Sequence, residues 1–246
     1  MIGMEASPMI EVRPFDRLGR FRNAWLNARH HFSFGFYRDP ARAGFGRLLV
    51  WNDDEIAPGT GFDPHPHREM EIVTYVRAGA ITHQDSLGNL GRTEAGDVQV
   101  MHAGTGIVHA EHNREDVPTR LFQIWIAPDQ AGVRPGWEAR AFPRGQGLRV
   151  LASGRPGVTE DGAGEDRALR LYADAAVLAG TLAAGDTTVL RLDPRRAAYL
   201  VAAVGSVRVN GIAAGPRDGV AIADETEVTV VADTDSELVV VDVAAA

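Results

Sequence analysis

The sequence predicts an all-β protein built from two sandwich or barrel domains in tandem. Short segments rich in Val, Ile, Leu and aromatic residues recur along the chain, and Asn, Asp and Gly turns separate them. Short strands at regular spacing are typical of sandwiches and barrels. The last third of the chain repeats this pattern, which indicates an internal duplication.

The first series of predicted strands lies at 47–52, 71–76, 97–101 and 121–127. The last of these is apolar at both alternating positions, as expected for a strand that is covered on both faces. Helical patterning is scarce, and residues 17–28 are one candidate for a short helix or a loop.

A loop-rich stretch with many Pro and Gly residues separates the two series. We expect an N-terminal domain at 1–130, a connection at 131–165 and a C-terminal domain at 166–246. Short strings in the two halves run parallel: Gly79-Ala80-Ile81 with Gly205-Ser206-Val207, and Asp97-Val98 with Asp218-Gly219.

Composition limits the function classes. The 246 residues carry a net charge of −8 without a clustered basic stripe, which disfavours direct binding to nucleic acid. No apolar run is long enough for a membrane span, and the first residues do not follow a signal-peptide pattern. There are no cysteines, which excludes disulfides and thiolate chemistry and fits a cytoplasmic protein.

Two short strings carry the clearest chemical signal. His65-Pro66-His67 and His109-Ala110-Glu111 each place two potential metal ligands at positions i and i+2. On a β-strand such positions point to the same face. Two adjacent strands would therefore present three imidazoles and a carboxylate to one point, which is a donor set for a divalent transition metal.

The residues around both strings resemble the two motifs of the cupin superfamily. The first motif is matched by Gly59, the His65 and His67 pair, Glu71 and Gly79, and the second by Gly96, Gly104, Gly106, His109 and Asn113. The match departs in the second motif, where His102 stands near an expected Pro and the loop is about two residues longer. A generic cupin uses the glutamate at the position of Glu71 as a ligand, and strand parity alone leaves Glu71 and Glu111 both open.

The strings GFDPHPHREMEIVTY, GDVQVMHAGTGIVHAEHN and HHFSFGFYRDP resemble the pirin family. The resemblance implies two tandem cupin (double-stranded β-helix, jelly-roll) barrels, a bicupin. It also implies that His65, His67, His109 and Glu111 bind the metal. Glu71 would then orient one of the ligand imidazoles.

The same resemblance implies one divalent transition metal per chain, iron in the first place, with Ni, Cu, Mn, Zn or Co as alternatives. It implies quercetin 2,3-dioxygenase activity, in which O₂ opens the ring of a flavonol and carbon monoxide leaves. Glu111 would be the catalytic residue, as the general base for the flavonol hydroxyl.

Two other functions stay open. Eukaryotic members of the family are metal-dependent co-regulators, so a non-enzymatic, redox-sensing protein that acts through a protein partner is the main alternative. A zinc-type sugar-phosphate isomerase is disfavoured, because Arg68 and Arg77 are the only basic residues close to the site in sequence. An open cavity at the metal site would favour the enzyme.

All eight histidines lie between His30 and His112, so the site must belong to the first domain. We expect His30 and His31 to pack among aromatic residues, His83 to be structural or at the pocket rim, and His102 and His112 to lie away from the metal. A possible apolar pocket, which for most of its members is more simply barrel core, comprises Phe62, Ile72, Met101, Ile107, Phe122 and Trp125.

Overall fold

The computed structural model describes residues 9–142, 145–155 and 167–245, and strands dominate these ranges. Two 3₁₀ turns lie at Phe15–Arg17 and Pro40–Arg42. The strands are β1 (Met9–Arg13), β2 (Gly19–Arg22), β3 (Leu26–His30), β4 (Leu48–Ile56), β5 (Gly61–His67), β6 (Glu71–Ala78), β7 (Ala80–Asp85), β8 (Leu90–Glu94), β9 (Asp97–His102), β10 (Ile107–His112), β11 (Thr119–Ile126), β12 (Gly136–Ala141), β13 (Gly147–Ser153), β14 (Leu169–Arg170), β15 (Ala175–Leu182), β16 (Thr187–Arg191), β17 (Arg196–Val204), β18 (Val207–Val209), β19 (Ile212–Ala214), β20 (Gly219–Ala223), β21 (Glu227–Ala232) and β22 (Ser236–Ala244).

The strands form two barrels, each made of a seven-stranded and a four-stranded sheet. The first barrel combines the sheet β12-β9-β6-β11-β4-β3-β2 with β5-β10-β7-β8. The second combines β1-β20-β17-β22-β15-β13-β14 with β16-β21-β18-β19. The small sheets have the same strand order with the numbering shifted by eleven, which confirms the predicted all-β class and the duplication.

The expectation of a helix or loop at 17–28 is wrong. That stretch forms the antiparallel pair β2 and β3, in which Gly19 lies opposite His30. Its hairpin extends the first large sheet beyond β4. Pairing with the unpaired backbone groups at the edge of the sheet therefore outweighed the local conformational preference of this stretch.

The large sheets of the two barrels pack against each other. Trp51 and Phe122 from the first barrel and Tyr199 and Val201 from the second belong to one buried cluster. The ring centroids of Trp51 and Tyr199 lie 5.6 Å apart. Strands such as β11 are thus covered on both faces, which confirms the expectation from their continuous apolar sequence.

The interiors of the two barrels differ in chemistry. The second barrel is filled by aliphatic side chains, among them Leu190 from β16 and Val228 and Val230 from β21. In the first barrel the equivalent strands β5 and β10 carry histidines and a glutamate instead. Among the described residues, groups with metal-binding geometry occur in the first barrel alone.

The connection between the barrels contributes a strand to each. β12 pairs with β9 of the first barrel, whereas β13 pairs with β15 of the second. The strand β1 also pairs with β20, so the start of the described chain joins the second barrel. A division at 130 and 165 stays a proposal, and the second of these limits lies outside the described residues.

Across the described ranges, no helix combines the length and apolar character that a membrane crossing requires.

Candidate metal centre

Strands β5 and β10 are antiparallel neighbours, and His65 lies directly opposite His109. His67 lies two residues further along β5 and faces the same side. Pro66, between these two histidines, and Pro64, just before His65, are exposed. Proline is tolerated here because β5 is the edge strand of the small sheet, where a missing N–H costs no ladder hydrogen bond.

The three imidazoles meet inside the barrel. Nε2 of His65 lies 3.1 Å from Nε2 of His109. The ring of His67 lies 4.8 Å from that of His65 and 4.9 Å from that of His109, centroid to centroid. One nitrogen from each ring falls within 4.8 Å of the others, so these residues could hold a metal ion.

Glu111 is buried and lies two residues after His109 on β10. The register of β10 against β5 shifts between these two residues, which places Glu111 opposite Phe62. A bulge of this kind re-aims a side chain. Glu111 forms a second group within 4.8 Å with His83 and His109, so the four predicted ligands fall into two overlapping groups that share His109.

Two glutamine amides hold the carboxylate of Glu111. Nε2 of Gln99 donates to Oε1 at 2.6 Å, and Nε2 of Gln123 donates to Oε2 at 2.7 Å. The indoles of Trp137 and Trp125 donate in turn to the carbonyl oxygens of these glutamines, at 3.3 and 3.2 Å. Burial nevertheless raises the pKa of Glu111 to about 7, against the lowering effect of the amide bonds.

His83 joins the site, whereas the sequence predicted a structural or rim position. Its Nδ1 lies 3.4 Å from Nδ1 of His109, and its Nε2 lies 3.1 Å from Oδ2 of Asp85. Trp137 stacks on the ring at 4.9 Å, with 7° between the planes. His83 and Asp85 are themselves at i and i+2, and that spacing was the one signal that could have revealed the pair.

Hydrogen bonds determine which histidine nitrogens carry protons. Nδ1 of His65 donates to the backbone oxygen of Asp63, so the lone pair of the neutral imidazole lies on Nε2. Asp85 accepts from Nε2 of His83, so Nδ1 of His83 accepts from His109 and a lone pair remains on Nε2 of His109.

The two lone pairs on His65 and His109 thus face each other at 3.1 Å. Two nitrogen ligands that bind one divalent ion at about 2.0–2.1 Å are separated by a similar distance. Burial also lowers the pKa of His67 to about 4 and that of His109 to about 2. Both imidazoles are therefore neutral at pH 7, the form that binds metals, and the donor set fits a divalent transition metal.

Glu71 lies apart from these groups. β5 ends at His67, and the backbone turns at Glu69, whose φ is 47°, before β6 begins in the other sheet. Glu71 then accepts from Nδ1 of His102 at 2.6 Å and from the backbone N–H of Tyr172 at 3.0 Å. The expectation that Glu71 orients one of the three clustered imidazoles is wrong.

The remaining histidines follow the sequence expectations. His31 bonds to the hydroxyl of Tyr199 at 3.0 Å and packs against Trp51. His30 contacts Phe34 in the same aromatic region. His112 lies 3.5 Å from the carboxylate of Asp63, outside both metal-binding groups.

A cavity of about 380 Å³ opens onto His65 and His67. Its walls are largely aromatic, and the ring centroid of Trp125 lies 4.9 Å from that of His67 in an edge-to-face arrangement. Of the apolar residues that the sequence offered, Phe62 and Trp125 line this cavity, Ile72, Met101 and Ile107 form a buried cluster, and Phe122 packs between the barrels. The lining comprises Trp25, Phe34, Gly61, Phe62, Asp63, His65, His67, Gln123 and Trp125.

Two barrels of this strand order, with a histidine and glutamate cluster in one, define a two-barrel cupin with a candidate metal centre. Residues 11–126 match the family Pirin, and residues 160–243 match the family described as the quercetinase C-terminal cupin domain. The chain belongs to the pirin family, and the predicted tandem cupin barrels are confirmed.

Relatives share nearly the whole chain. A Pseudomonas aeruginosa protein, provisionally named a quercetin 2,3-dioxygenase, is 58% identical and aligns with 96% of this chain and 100% of its own. The quercetin 2,3-dioxygenase of Escherichia coli K12 is 38% identical over 95% of this chain and 98% of its own. The solved structure of a bacterial pirin from Escherichia coli in complex with nickel(II) has a TM-score of 0.90 at 38% identity, over 97% of this chain and 100% of that one.

Proposed function

We propose that this protein is a metal-dependent dioxygenase that opens the ring of quercetin-like flavonols with O₂. The observation that carries the proposal is the aromatic cavity of about 380 Å³ beside His65 and His67, since binding sites for small molecules are apolar clefts of this size with a few polar groups. The names of the relatives, quercetin 2,3-dioxygenase among them, support the same activity.

We assign the metal to His65, His67, His109 and Glu111. The converging lone pairs of His65 and His109 and the neutral state of His67 support this assignment. Iron is the first candidate, and the Escherichia coli complex adds weight to nickel among the alternatives. When bound, such a metal supplies Lewis acidity toward an anionic oxygen and a redox partner for O₂.

The cavity suits a flat aromatic substrate. Trp25 and Phe62 meet edge to face at 5.1 Å, and Phe34 meets Trp125 in the same way at 5.4 Å. These rings offer faces and edges on which a flavonol can stack. A bound flavonol would also displace water from the space in front of His65 and His67, which strengthens electrostatic interactions there.

Glu111 supplies the base in this proposal. A flavonol must lose the proton of its 3-hydroxyl before the ring can be oxidised, and Glu111 is the buried carboxylate beside His109 that would accept this proton. Gln123 lines the cavity and bonds to Glu111, so it would orient the carboxylate with respect to the substrate. O₂ then enters the ring-opened ester while one ring carbon leaves as carbon monoxide.

The test begins with elemental analysis of protein purified without added metal. The metal-loaded protein is then mixed with quercetin in air and under nitrogen, and the flavonol absorbance and carbon monoxide are followed. We expect O₂-dependent loss of absorbance with matching carbon monoxide, and its suppression in Glu111→Gln but not in Glu115→Gln, a control at a partly exposed carboxylate that pairs with Arg92. Unchanged absorbance in air with a fully metal-loaded protein would overturn the enzymatic proposal.

A further inference from the structure

A second cavity adjoins the cavity at His65 and His67, and the proposed function gives it no role. It measures about 220 Å³ and lies between the hairpin of β2 and β3, the strand β4 and the loop at Phe34–Tyr37. Phe34, Phe62 and Gln123 line both cavities, so the two spaces adjoin at these side chains. A molecule at His65 and His67 that is longer than one ring system would meet this second space.

The second cavity has aromatic walls and a polar floor. Phe21, Phe36 and Tyr37 line it from the outside, and the side chain of Phe36 is 97% exposed. An aromatic side chain in this position would gain burial by covering a bound ring. The floor comes from the inner face of β3 and β4, where His30 pairs with Asn52 and Ala28 pairs with Asp54.

Asp54 is the exceptional group on this floor. Its side chain is only 2% exposed, and among the described residues its Oδ1 has no hydrogen-bond partner. Its neighbours on the floor, His30 and Asn52, bond to each other at 2.8 Å. Buried polar atoms in folded proteins nearly always have a partner, so an orphaned oxygen at a cavity calls for a ligand that supplies one.

We propose that this cavity is a subsite for a hydroxylated aromatic ring, whose hydroxyl donates a hydrogen bond to Oδ1 of Asp54. The inference rests on the proposed function and deepens it. It defines the substrate as an aromatic compound of two ring systems, with one hydroxyl at the metal centre and another remote from it.

The charges around Asp54 favour a neutral hydroxyl over an anion. Burial, with the nearby carboxylates of Asp53 and Glu111, raises the pKa of Asp54 well above its usual value, while Arg77 acts in the opposite direction. A carboxylate or phosphate placed at Asp54 itself would be repelled by these carboxylates, whereas Arg20 on β2 is the cation that lines the cavity. A phenolic hydroxyl fits because it can donate and accept hydrogen bonds without bringing charge.

The experiment compares two flavonols on metal-loaded protein without O₂. Quercetin carries hydroxyls on both ring systems, whereas 3-hydroxyflavone keeps only the hydroxyl assigned to the metal centre. Trp25 and Trp125 line the first cavity, so quenching of tryptophan fluorescence gives both dissociation constants. We expect wild type to bind quercetin about tenfold more tightly, the worth of one hydrogen bond to a buried acceptor.

Asp54→Ala should abolish the preference for quercetin without weakening 3-hydroxyflavone, and Asp54→Asn should restore part of it because the amide oxygen still accepts. Asp54→Val replaces the alanine variant if that fails to fold, since it keeps the volume and suits a strand. Glu55→Ala is the matched control, because Glu55 is the next residue and pairs with Arg120 on the outer surface.

The outcomes separate the subsite from the activity. A preference that disappears in Asp54→Ala supports the subsite even if wild type never consumes quercetin, in which case the dioxygenase proposal alone fails. A preference that survives in Asp54→Ala, or that wild type lacks, overturns the subsite, and turnover of 3-hydroxyflavone would then leave the activity standing. Absence of binding of either flavonol overturns both.

Discussion

Gln123 donates a hydrogen bond of 2.7 Å to Glu111, and the indole of Trp125 fixes the other end of the same amide. Gln99 and Trp137 repeat this arrangement on the opposite oxygen of the carboxylate. The carboxylate is thereby held at both oxygens in a buried position next to His109. Its protonation and its orientation consequently depend on two neutral amides rather than on a cation.

Removal of one of these amides should let protons compete more strongly with the metal for the carboxylate of Glu111. The bond from Gln123 lowers the pKa of Glu111, so Gln123→Leu should raise that pKa further above 7. We expect the pH midpoint of metal uptake to move up by about one unit. Chelator competition between pH 5.5 and 8.5 measures it, with Arg120→Ala on the outer face of the same strand as control. An unshifted midpoint would contradict the role of the amide.

Glu111 should also control how the stability of the metal-free protein varies with pH. Its pKa is raised from 4.5 to about 7, so its stabilising contribution is complete below pH 4.5 and is lost as the pH rises through 7. Glu111→Gln removes this loss. Relative to wild type, the variant should gain about 3 kcal/mol in free energy of unfolding between pH 4.5 and 8. Urea unfolding with chelator present provides the values, and a constant difference across this range would refute the shift.

Metal binding should depend on the imidazoles of the three clustered histidines and not on that of His112. His65→Ala and His67→Ala should lose most of the bound metal, because each removes a donor from one face of β5. His112→Ala is the control, since its ring lies near Asp63 and outside both groups. Metal content by elemental analysis, together with circular dichroism for folding, decides the matter. Equal metal loss in His112→Ala would count against the assignment.

His83 should tune metal affinity through His109. It fixes the proton of His109 on Nδ1 and is itself held by Asp85. Outer partners of this kind are worth about 10–100-fold in metal affinity. We expect such a loss in His83→Phe, which keeps a ring for Trp137 to stack on, and a smaller one in Asp85→Asn. Titration with a fluorescent chelator reports the affinity, and a His83→Phe affinity equal to wild type would exclude the role.

Glu71→Gln should separate stability from metal binding. Glu71 bonds to His102 and to the backbone of Tyr172, which lies between β14 and β15 of the second barrel. The variant should keep one metal per chain and lose about 1–3 kcal/mol of stability, the usual cost of a disrupted buried hydrogen bond to a charged group. Metal content and thermal unfolding are measured on the same sample. Loss of metal at full stability would instead point to Glu71 as the ligand.

The sequence alone was sufficient to predict the family, the all-β class and the duplication. It also predicted which residues of the HPH and HAE strings share a face, because alternation along one strand is a local property. His65, His67 and His109 could be singled out for that reason, and the histidine-free second half confined the candidate site to the first barrel.

Only the tertiary structure decided which partners meet those residues. The bulge at Glu111, the turn at Glu69 that carries Glu71 into another sheet, and the approach of His83 to His109 all depend on register between strands distant in sequence. The same holds for Asp54. Its position in the alternation along β4 is that of any inward-facing residue, but other strands and a loop complete the cavity that it faces. Periodicity shows which way a side chain points, whereas long-range pairing of strands determines what it finds there.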